Sequence, residues 1–424
     1  MKVHKFHTRL KDLFMKPMQI IIIGAGNRGN TYASYSDLFP EDMKVVAVAE
    51  PNPEKRKHFS EKYHLNPSQN YETWEEALKD KPFADGVIIT TQDQFHVDPA
   101  VAALDAGYHV LLEKPMATTE KDCRLLTEKA IISRKIFGLC HVLRYTSHYQ
   151  KMKNIIESGA IGSLITIEHI EPVNYWHMAH AYVRGNWRRK DESAPMILAK
   201  SCHDMDLLLW FADSPCKFIS SFGSLSHFKK ENAPEGSTER CIDHCPVETE
   251  CPYSALKLYL NMEVTGWPVN VITDDLSREG REKALHSGPY GRCVYRCDND
   301  VVDHQVVSME FENKMTASFT MSAFTDGQRR TRIMGTEGEI LGNFQTITLT
   351  RFNNIKPEIV WEHESNDAYG HGGGDYGLIK QFIQAVRADD PSLFESSIEA
   401  SLESHLMAFA AEESRLKNQV VMLL

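Results

Sequence analysis

The run Ile20-Ile21-Ile22-Ile23-Gly24-Ala25-Gly26-Asn27-Arg28-Gly29 limits the folds open to this chain more than any other stretch. Four β-branched residues in a row suit a strand buried on both faces, as in a parallel sheet. The run stops at a glycine-rich turn, and a helical pattern follows. Gly24 permits the tight turn, Gly26 lets a pyrophosphate approach the backbone, and Gly29 lets the helix pack on the strand. The helix N-terminus offers free N–H groups to the phosphates. A second strand, Lys44-Val45-Val46-Ala47-Val48-Ala49, ends at Glu50. That acid lies about 20 residues past the last glycine, where a partner for a ribose 2′-hydroxyl is expected. Glu50 repels a 2′-phosphate, which favours NAD over NADP. Arg56 lies down the next helix, too far to reverse that preference.

A chain of 424 residues is long for one domain, so two are expected. Hydrophobic content of 42% and charged content of 25% are ordinary for a globular protein. A net charge of −11 argues against nucleic acid and anionic membranes as partners. Apolar runs are strand-sized, well short of a membrane span. The basic N-terminal stretch (Lys2, Lys5, Arg9, Lys11 and Lys16) has no apolar signal core after it, so a short arm and no secretion are expected. Nine cysteines without a signal sequence suggest free thiols or a metal site in a reducing cytoplasm.

Strand and helix patterns then alternate. A polar helix opens at Pro51 and Pro53 and runs to about Lys62, and Thr73 with Glu76 is spaced as a capping box. Further strands are read at Gly86–Thr91, His109–Leu112 and Phe137–Val142. They end at Gln92-Asp93-Gln94-Phe95-His96, at Glu113-Lys114-Pro115 and near Arg144. Such alternation means a parallel sheet with right-handed crossovers, whose ligands bind beyond the strands' carboxyl ends. Beyond Arg144 a helix carries Met152, Ile155 and Ile156. Alternating segments follow at Leu164–Ile170, Phe218–Ser226, Gln305–Phe311, Met315–Ser322, Arg330–Met334 and Thr346–Thr350. The turn Gly335-Thr336-Glu337-Gly338 separates two of them. These segments read as an α+β domain on a mostly antiparallel open sheet. The division expected is 18–144 and 145–424.

Several motifs in these positions resemble the Gfo/Idh/MocA oxidoreductases, named after glucose-fructose oxidoreductase and inositol dehydrogenase. They are Gly24–Gly29, Thr91–His96, Glu113-Lys114-Pro115, Arg144-Tyr145, Gly159-Ala160-Ile161-Gly162 and His203-Asp204-Met205-Asp206. The resemblance covers most of 18–424 apart from an insert at about 229–300. It implies a Rossmann domain plus a C-terminal open sheet, NAD(P)-dependent oxidation or reduction of a sugar or polyol carbon, and a homo-oligomer. Cofactor contacts carried over are Gly24, Gly26, Asn27, Arg28, Gly29, Glu50, Thr91, Asp93, His96, Glu113 and Lys114. Gln92 and Asp93 replace the family's Pro and Asn. Lys114 corresponds to the lysine beside the reacting hydroxyl, where it can lower the hydroxyl's pKa or relay its proton. Pro115 is expected to fix that loop, with a cis bond as one way of doing so. His203 corresponds to the family's catalytic histidine. An aspartate usual four residues before it is Ala199 here, and Lys200 or Asp204 could substitute. Two other readings stay open: redox-neutral, NAD-dependent glycoside hydrolysis in the same fold, and a non-catalytic NAD or sugar sensor.

Substrate contacts are expected from Arg144 and Asp204, and from the aromatic-rich stretch 174–189, which shows no clear periodicity and reads as a loop. Its candidates are Tyr175, His177, Tyr182, Arg184 and Trp187; an interdomain or subunit contact is the alternative. His371, in Gly370-His371-Gly372-Gly373-Gly374-Asp375, suits a substrate contact or a structural turn, with Asp375 as a helix N-cap. Within the insert, Cys241-x3-Cys245-x5-Cys251 with Cys297 or Cys293 could hold one structural zinc, with His244 spare; buried free thiols or a disulfide are the alternatives. Asp303 and His304 could be ligands, substrate contacts or strand-edge residues.

Overall fold

The computed structural model describes residues 16–363 and 371–423. They form two compact units. The first holds residues up to 150 with 371–402, and the second holds 151–363 with 403–423.

In the first unit six strands are β1 (Met18–Ile23), β2 (Met43–Ala49), β3 (Asn70–Tyr71), β4 (Gly86–Ile89), β5 (His109–Leu112) and β6 (Phe137–Leu139). Their order is β3-β2-β1-β4-β5-β6, with every pairing parallel. The order reverses between β1 and β4, and in such sheets the ligand crevice opens there. The isoleucines of β1 are fully buried because both faces of the sheet are covered. Helix starts follow local chemistry. Asn52 accepts the N–H groups of Glu54 and Lys55 ahead of helix Pro53–Lys62, and Thr73 and Thr119 cap the helices after them.

The sequence boundary at 144/145 assigns residues 371–402 to the second domain, yet they belong to the first unit. The reason is the apolar stripe of helix Gly374–Ala388. Leu378, Ile379, Phe382 and Ile383 share one core cluster with Ile20, Ile22 and Cys140. Phe394 completes it. A Cβ at Gly138 of β6 would stand 2.4 Å from the Phe394 ring, so only glycine admits that ring.

The second unit is a sheet of nine strands: β7 (Leu164–Pro172), β8 (Cys216–Ser224), β9 (His304–Phe311), β10 (Thr316–Ser322), β11 (Arg330–Gly335), β12 (Gly338–Gly342), β13 (Thr346–Arg351), β14 (Asn354–Glu362) and β15 (Val421–Met422). The order is β14-β13-β12-β11-β7-β10-β9-β8-β15, antiparallel except where β7 meets β10. The patterns had not marked β12 or β14. β12 is short and leaves directly from a turn, and β14 is a mostly exposed edge strand without apolar alternation. The stretch read as a loop is helical: one turn at Tyr175–His177 runs into a buried π-helix, Met178–Arg184. Its wider turn explains the missing 3.6-residue period.

Phe394→Ala should remove about 3–5 kcal/mol of stability from the first unit. Denaturant titration would show it, and an unchanged midpoint would mean that residues 371–402 are not part of that core.

Candidate functional site

The glycine turn can be tested position by position. Gly24 has φ +94°, and a Cβ there would lie 2.8 Å from the Thr90 carbonyl oxygen. A Cβ on Gly29 would lie 2.0 Å from the Gly24 carbonyl oxygen, so the helix Asn27–Ala33 packs on β1 only without it. A Cβ on Gly26 would meet nothing within 4 Å. The open space is therefore above Gly26, where a pyrophosphate needs it. Glu50 follows β2 directly, and its carboxylate is held by the Ala25 N–H at 2.8 Å and the Asn52 N–H at 2.9 Å. Arg56 reaches back to the carbonyl oxygens of Glu50 and Pro51, nearer than its position on the helix suggested.

Two residues carried over as cofactor contacts are engaged with the protein itself. Arg28 donates to Glu113 Oε1 at 2.6 Å and to Asp375 Oδ1 at 2.6 Å, and its guanidinium lies 4.5 Å from the Tyr32 ring centre. Glu113 also accepts from Tyr32 Oη at 2.8 Å and from the Lys114 N–H at 2.7 Å. Burial pushes the Glu113 carboxyl up, but Arg28 and Lys114 beside it pull it below its ordinary value. Asp375, expected as an N-cap, is instead a buried ion-pair partner, and Gly373 occupies the cap position. His96 is buried with Nδ1 2.7 Å from the Pro115 oxygen and Nε2 3.2 Å from the Thr91 oxygen, so it braces the loop after Lys114. The Lys114–Pro115 bond is cis. Thr91 donates to the Phe95 carbonyl, Asp93 is buried, Asn27 is exposed, and Lys114 is half-buried at the end of β5. Arg144 is buried and donates to the Glu395 carbonyl at 2.9 Å.

The second unit gathers a separate polar group beneath the helix Cys202–Ala212. His169 on β7 bonds Asp204 Oδ1 at 2.9 Å through Nε2, and Thr331 Oγ1 at 2.8 Å through Nδ1. Arg329 donates to the same Asp204 oxygen at 2.8 Å and pairs with Glu171. Lys200 Nζ lies 3.4 Å from Glu171 Oε1. Burial pushes Asp204 up, yet Arg329 and His169 hold it below the usual carboxylate range. Asp204 is thus fully buried and bound within the protein, while His203, one residue earlier, is 8% exposed. A carboxylate beside Lys200 comes from Glu171, far away in sequence, where the family's position four residues before His203 is Ala199.

The aromatic candidates divide. Trp176 and His177 pack on Trp267 with ring centres 5.2 and 4.9 Å apart, and Tyr182 lies 6.1 Å from Trp187. Tyr175 is exposed and Trp187 half-buried. His180 is buried at 2.8 Å from Tyr259 Oη; burial and the Arg184 charge lower it to about 4, so its ring is neutral at pH 7. Arg184 is buried, donating to the Arg292 and Tyr253 carbonyls at 2.7 Å each. The side chain of His371 lies outside the described residues, although its backbone opens the turn His371–Gly373. Asp303 is buried and accepts from the Ser226 and His227 N–H groups at 2.9 and 2.7 Å, which makes it a brace for that loop; His304 Nδ1 lies 2.8 Å from it. Cys241, Cys245 and Cys251 line one cavity with Cys293, and Cys297 is not among its lining residues.

Glu113→Gln should destabilise the first unit by about 3 kcal/mol, because it leaves Arg28 with one carboxylate fewer. A carboxylate lowered by folding stabilises above its unfolded value, 4.5, and loses that contribution as pH falls through its folded value. The wild type should therefore lose stability on acidification below about pH 4.5, and the variant should lose less. Melting temperatures followed from pH 7 to pH 3 would show parallel curves if Glu113 were not so held.

Comparison with known proteins agrees with this architecture. Residues 18–141 match the family described as "Oxidoreductase family, NAD-binding Rossmann fold", and 153–423 match "Oxidoreductase family, C-terminal alpha/beta domain". A Bacillus subtilis protein, YteT, classed by name as an oxidoreductase, is 25% identical over 395 residues, covering 89% of this chain and 86% of its own. Inositol 2-dehydrogenase of Salmonella typhimurium is 31% identical over 202 residues, 47% of this chain and 56% of its own. Two solved structures share the fold. Levoglucosan dehydrogenase in complex with NADH and L-sorbose has a TM-score of 0.72 at 17% identity, covering 97% of this chain and 100% of its own. Scyllo-inositol dehydrogenase from Lactobacillus casei with NAD(H) and scyllo-inositol has a TM-score of 0.67 at 17% identity, covering 96% and 99%. No helix among the described residues is long and apolar enough to cross a membrane. With both of its domains matched in order, this chain belongs to the Gfo/Idh/MocA oxidoreductase family.

Proposed function

We propose that this protein is an NAD-dependent dehydrogenase that moves a hydride between a hydroxyl-bearing carbon of a sugar or polyol and nicotinamide. The observation that carries the reading is the open space above Gly26 beside the fixed carboxylate of Glu50. The residues present fit a dinucleotide: Gly24, Gly26, Asn27, Gly29 and Glu50 would hold it, with Thr91 and Asp93 after β4. Bound NAD would supply the hydride acceptor. The chain's own groups would handle the proton. Lys114 is half-buried with its backbone N–H tied to Glu113, and its ammonium would stabilise the oxygen that loses a proton. His203 would serve as the second proton-handling group, and Lys200, paired with Glu171, as a charge that orients substrate hydroxyls. Tyr175, His177 and Trp187 offer aromatic faces suited to a sugar ring, while Tyr182 is buried behind them in the core. The carboxylate of Glu50 supports NAD over NADP. The polyol class is supported by the relative named inositol 2-dehydrogenase.

We also propose a homo-oligomer in a cytoplasmic setting. The outer sheet face presents Phe222 opposite Val306, both exposed, to which a second copy could add apolar cover.

A screen of sugars, polyols and aryl glycosides, read for NADH absorbance and for released aglycone, tests the reading. NADH should accumulate with product. Aglycone release without net NADH would replace it with redox-neutral hydrolysis, and NAD binding without turnover would leave a sensor. Lys114→Ala should lower kcat about 10²–10⁴-fold while NAD affinity stays near that of the wild type. Normal turnover would remove Lys114 from the mechanism.

A further inference from the structure

We propose that Cys241, Cys245, Cys251 and Cys293 form a binding site for a [4Fe–4S] cluster. The four side chains line a single cavity. Three come from one loop and the fourth from the far end of the insert, so local chain geometry does not explain their convergence. Backbone N–H groups converge on the sulfurs in a repeated pattern. The backbone N–H groups of Val247, Tyr253 and Tyr295 lie beside Cys245, Cys251 and Cys293, in each case two residues after the cysteine. The Thr238 N–H also lies beside Cys245, while its hydroxyl donates to the Arg240 carbonyl at 2.6 Å. Hydrogen bonds to the sulfurs of a bound cluster tune its potential. Proline follows Cys245 and Cys251 directly, as it follows cysteine in one of the known cluster-binding runs.

Charge points the same way. Arg184 is 1% exposed, and its Nη2 lies 3.6 Å from Cys241 Sγ. Its Nη1 is buried with no hydrogen-bond partner among the described residues. A buried guanidinium left partly unsatisfied is unfavourable unless an anion faces it. A cubane held by four thiolates is such an anion.

A single zinc does not suit this spacing. With Zn–S near 2.3 Å, tetrahedral geometry needs sulfurs about 3.8 Å apart. Among the described residues no three of these sulfurs lie within 4.8 Å of one another. A cubane accepts wider spacing, because each cysteine binds a different iron. Cys297 is turned away, with its thiol 3.3 Å from the Cys293 carbonyl oxygen, and serves as an internal control. The cluster would staple the two ends of the insert and, through Arg184, the end of the π-helix.

The test is iron and acid-labile sulfide analysis of the full-length protein purified without oxygen, with visible absorption and electron paramagnetic resonance after dithionite. About four iron and four sulfide per chain are expected, with a paramagnetic signal on reduction. Cys245→Ser, whose sulfur is partly exposed, should lose most of the iron, while Cys297→Ser should retain it. Retained NAD binding would show that the Cys245 variant is folded. One zinc per chain without sulfide would overturn the proposal. So would failure to take up iron during anaerobic reconstitution with ferric iron, a thiol reductant and sulfide, or equal iron loss in both variants.

Discussion

One guanidinium, that of Arg28, ties together three parts of the first unit that are distant in sequence. It belongs to the dinucleotide turn, pairs with Glu113 at the end of β5, and pairs with Asp375 on the helix that returns near the C-terminus. Two carboxylates around one arginine would leave excess buried negative charge. The Tyr32 hydroxyl and the Lys114 backbone N–H, both donating to Glu113, offset part of it. The arrangement explains why Glu113 precedes the lysine. Its side chain turns inward and locks the strand end, so that Lys114 leaves the sheet from a fixed backbone. The motif residue supports the reactive one, and Arg28 acts as a brace for the turn.

The second unit uses the same device with different residues. Asp204 is fully buried between His169 and Arg329, and Arg329 continues to Glu171 and from there to Lys200. Charges alternate along this chain, so no member is buried without an opposite neighbour. Asp204 therefore fixes the first turn of the helix that carries His203. Polar groups on a strand face are costly to bury, and Thr331 and His169 are tolerated there because each completes the other's hydrogen bond.

Much of this was legible in the sequence, and the limits are physical. Parallel strands buried on both faces are continuous apolar runs, so β1, β2, β4 and β5 stood out. The three glycines announced their roles because each role needs a missing Cβ, and the contacts at Gly24, Gly26 and Gly29 differ accordingly. Arginines were the weak point. Arg28, Arg144 and Arg184 look like ligand contacts in a motif, but a guanidinium can equally satisfy buried carbonyls and carboxylates far away in sequence. Their partners Asp375, Glu395 and Tyr253 carry no local signal. Glu171 and Arg329 were missed for the same reason, since only strand pairing in the folded sheet brings β7 beside the segment leading into β11. An alternation of polar residues within β7 was the one available hint.

The insert shows how such partners decide local structure. Arg184 ends a π-helix whose wide turn would be unfavourable in isolation. Its guanidinium bonds the Tyr253 carbonyl, beside the loop carrying Cys241–Cys251, and the Arg292 carbonyl, next to Cys293. Arg281, also fully buried, donates to the Tyr259, Asn261 and Val264 carbonyls within the same insert. Two arginines thus take the place of a regular hydrogen-bond ladder in a segment with few strands or long helices. A small apolar core of Ala255, Tyr259, Val269, Leu285 and Tyr290 lies around Cys241. Because that core meets the π-helix through His180 against Tyr259 and Tyr290, the aromatic side chains offered to a sugar take their position from the insert. A sequence that lost the insert but kept the π-helix would need other carbonyls for Arg184.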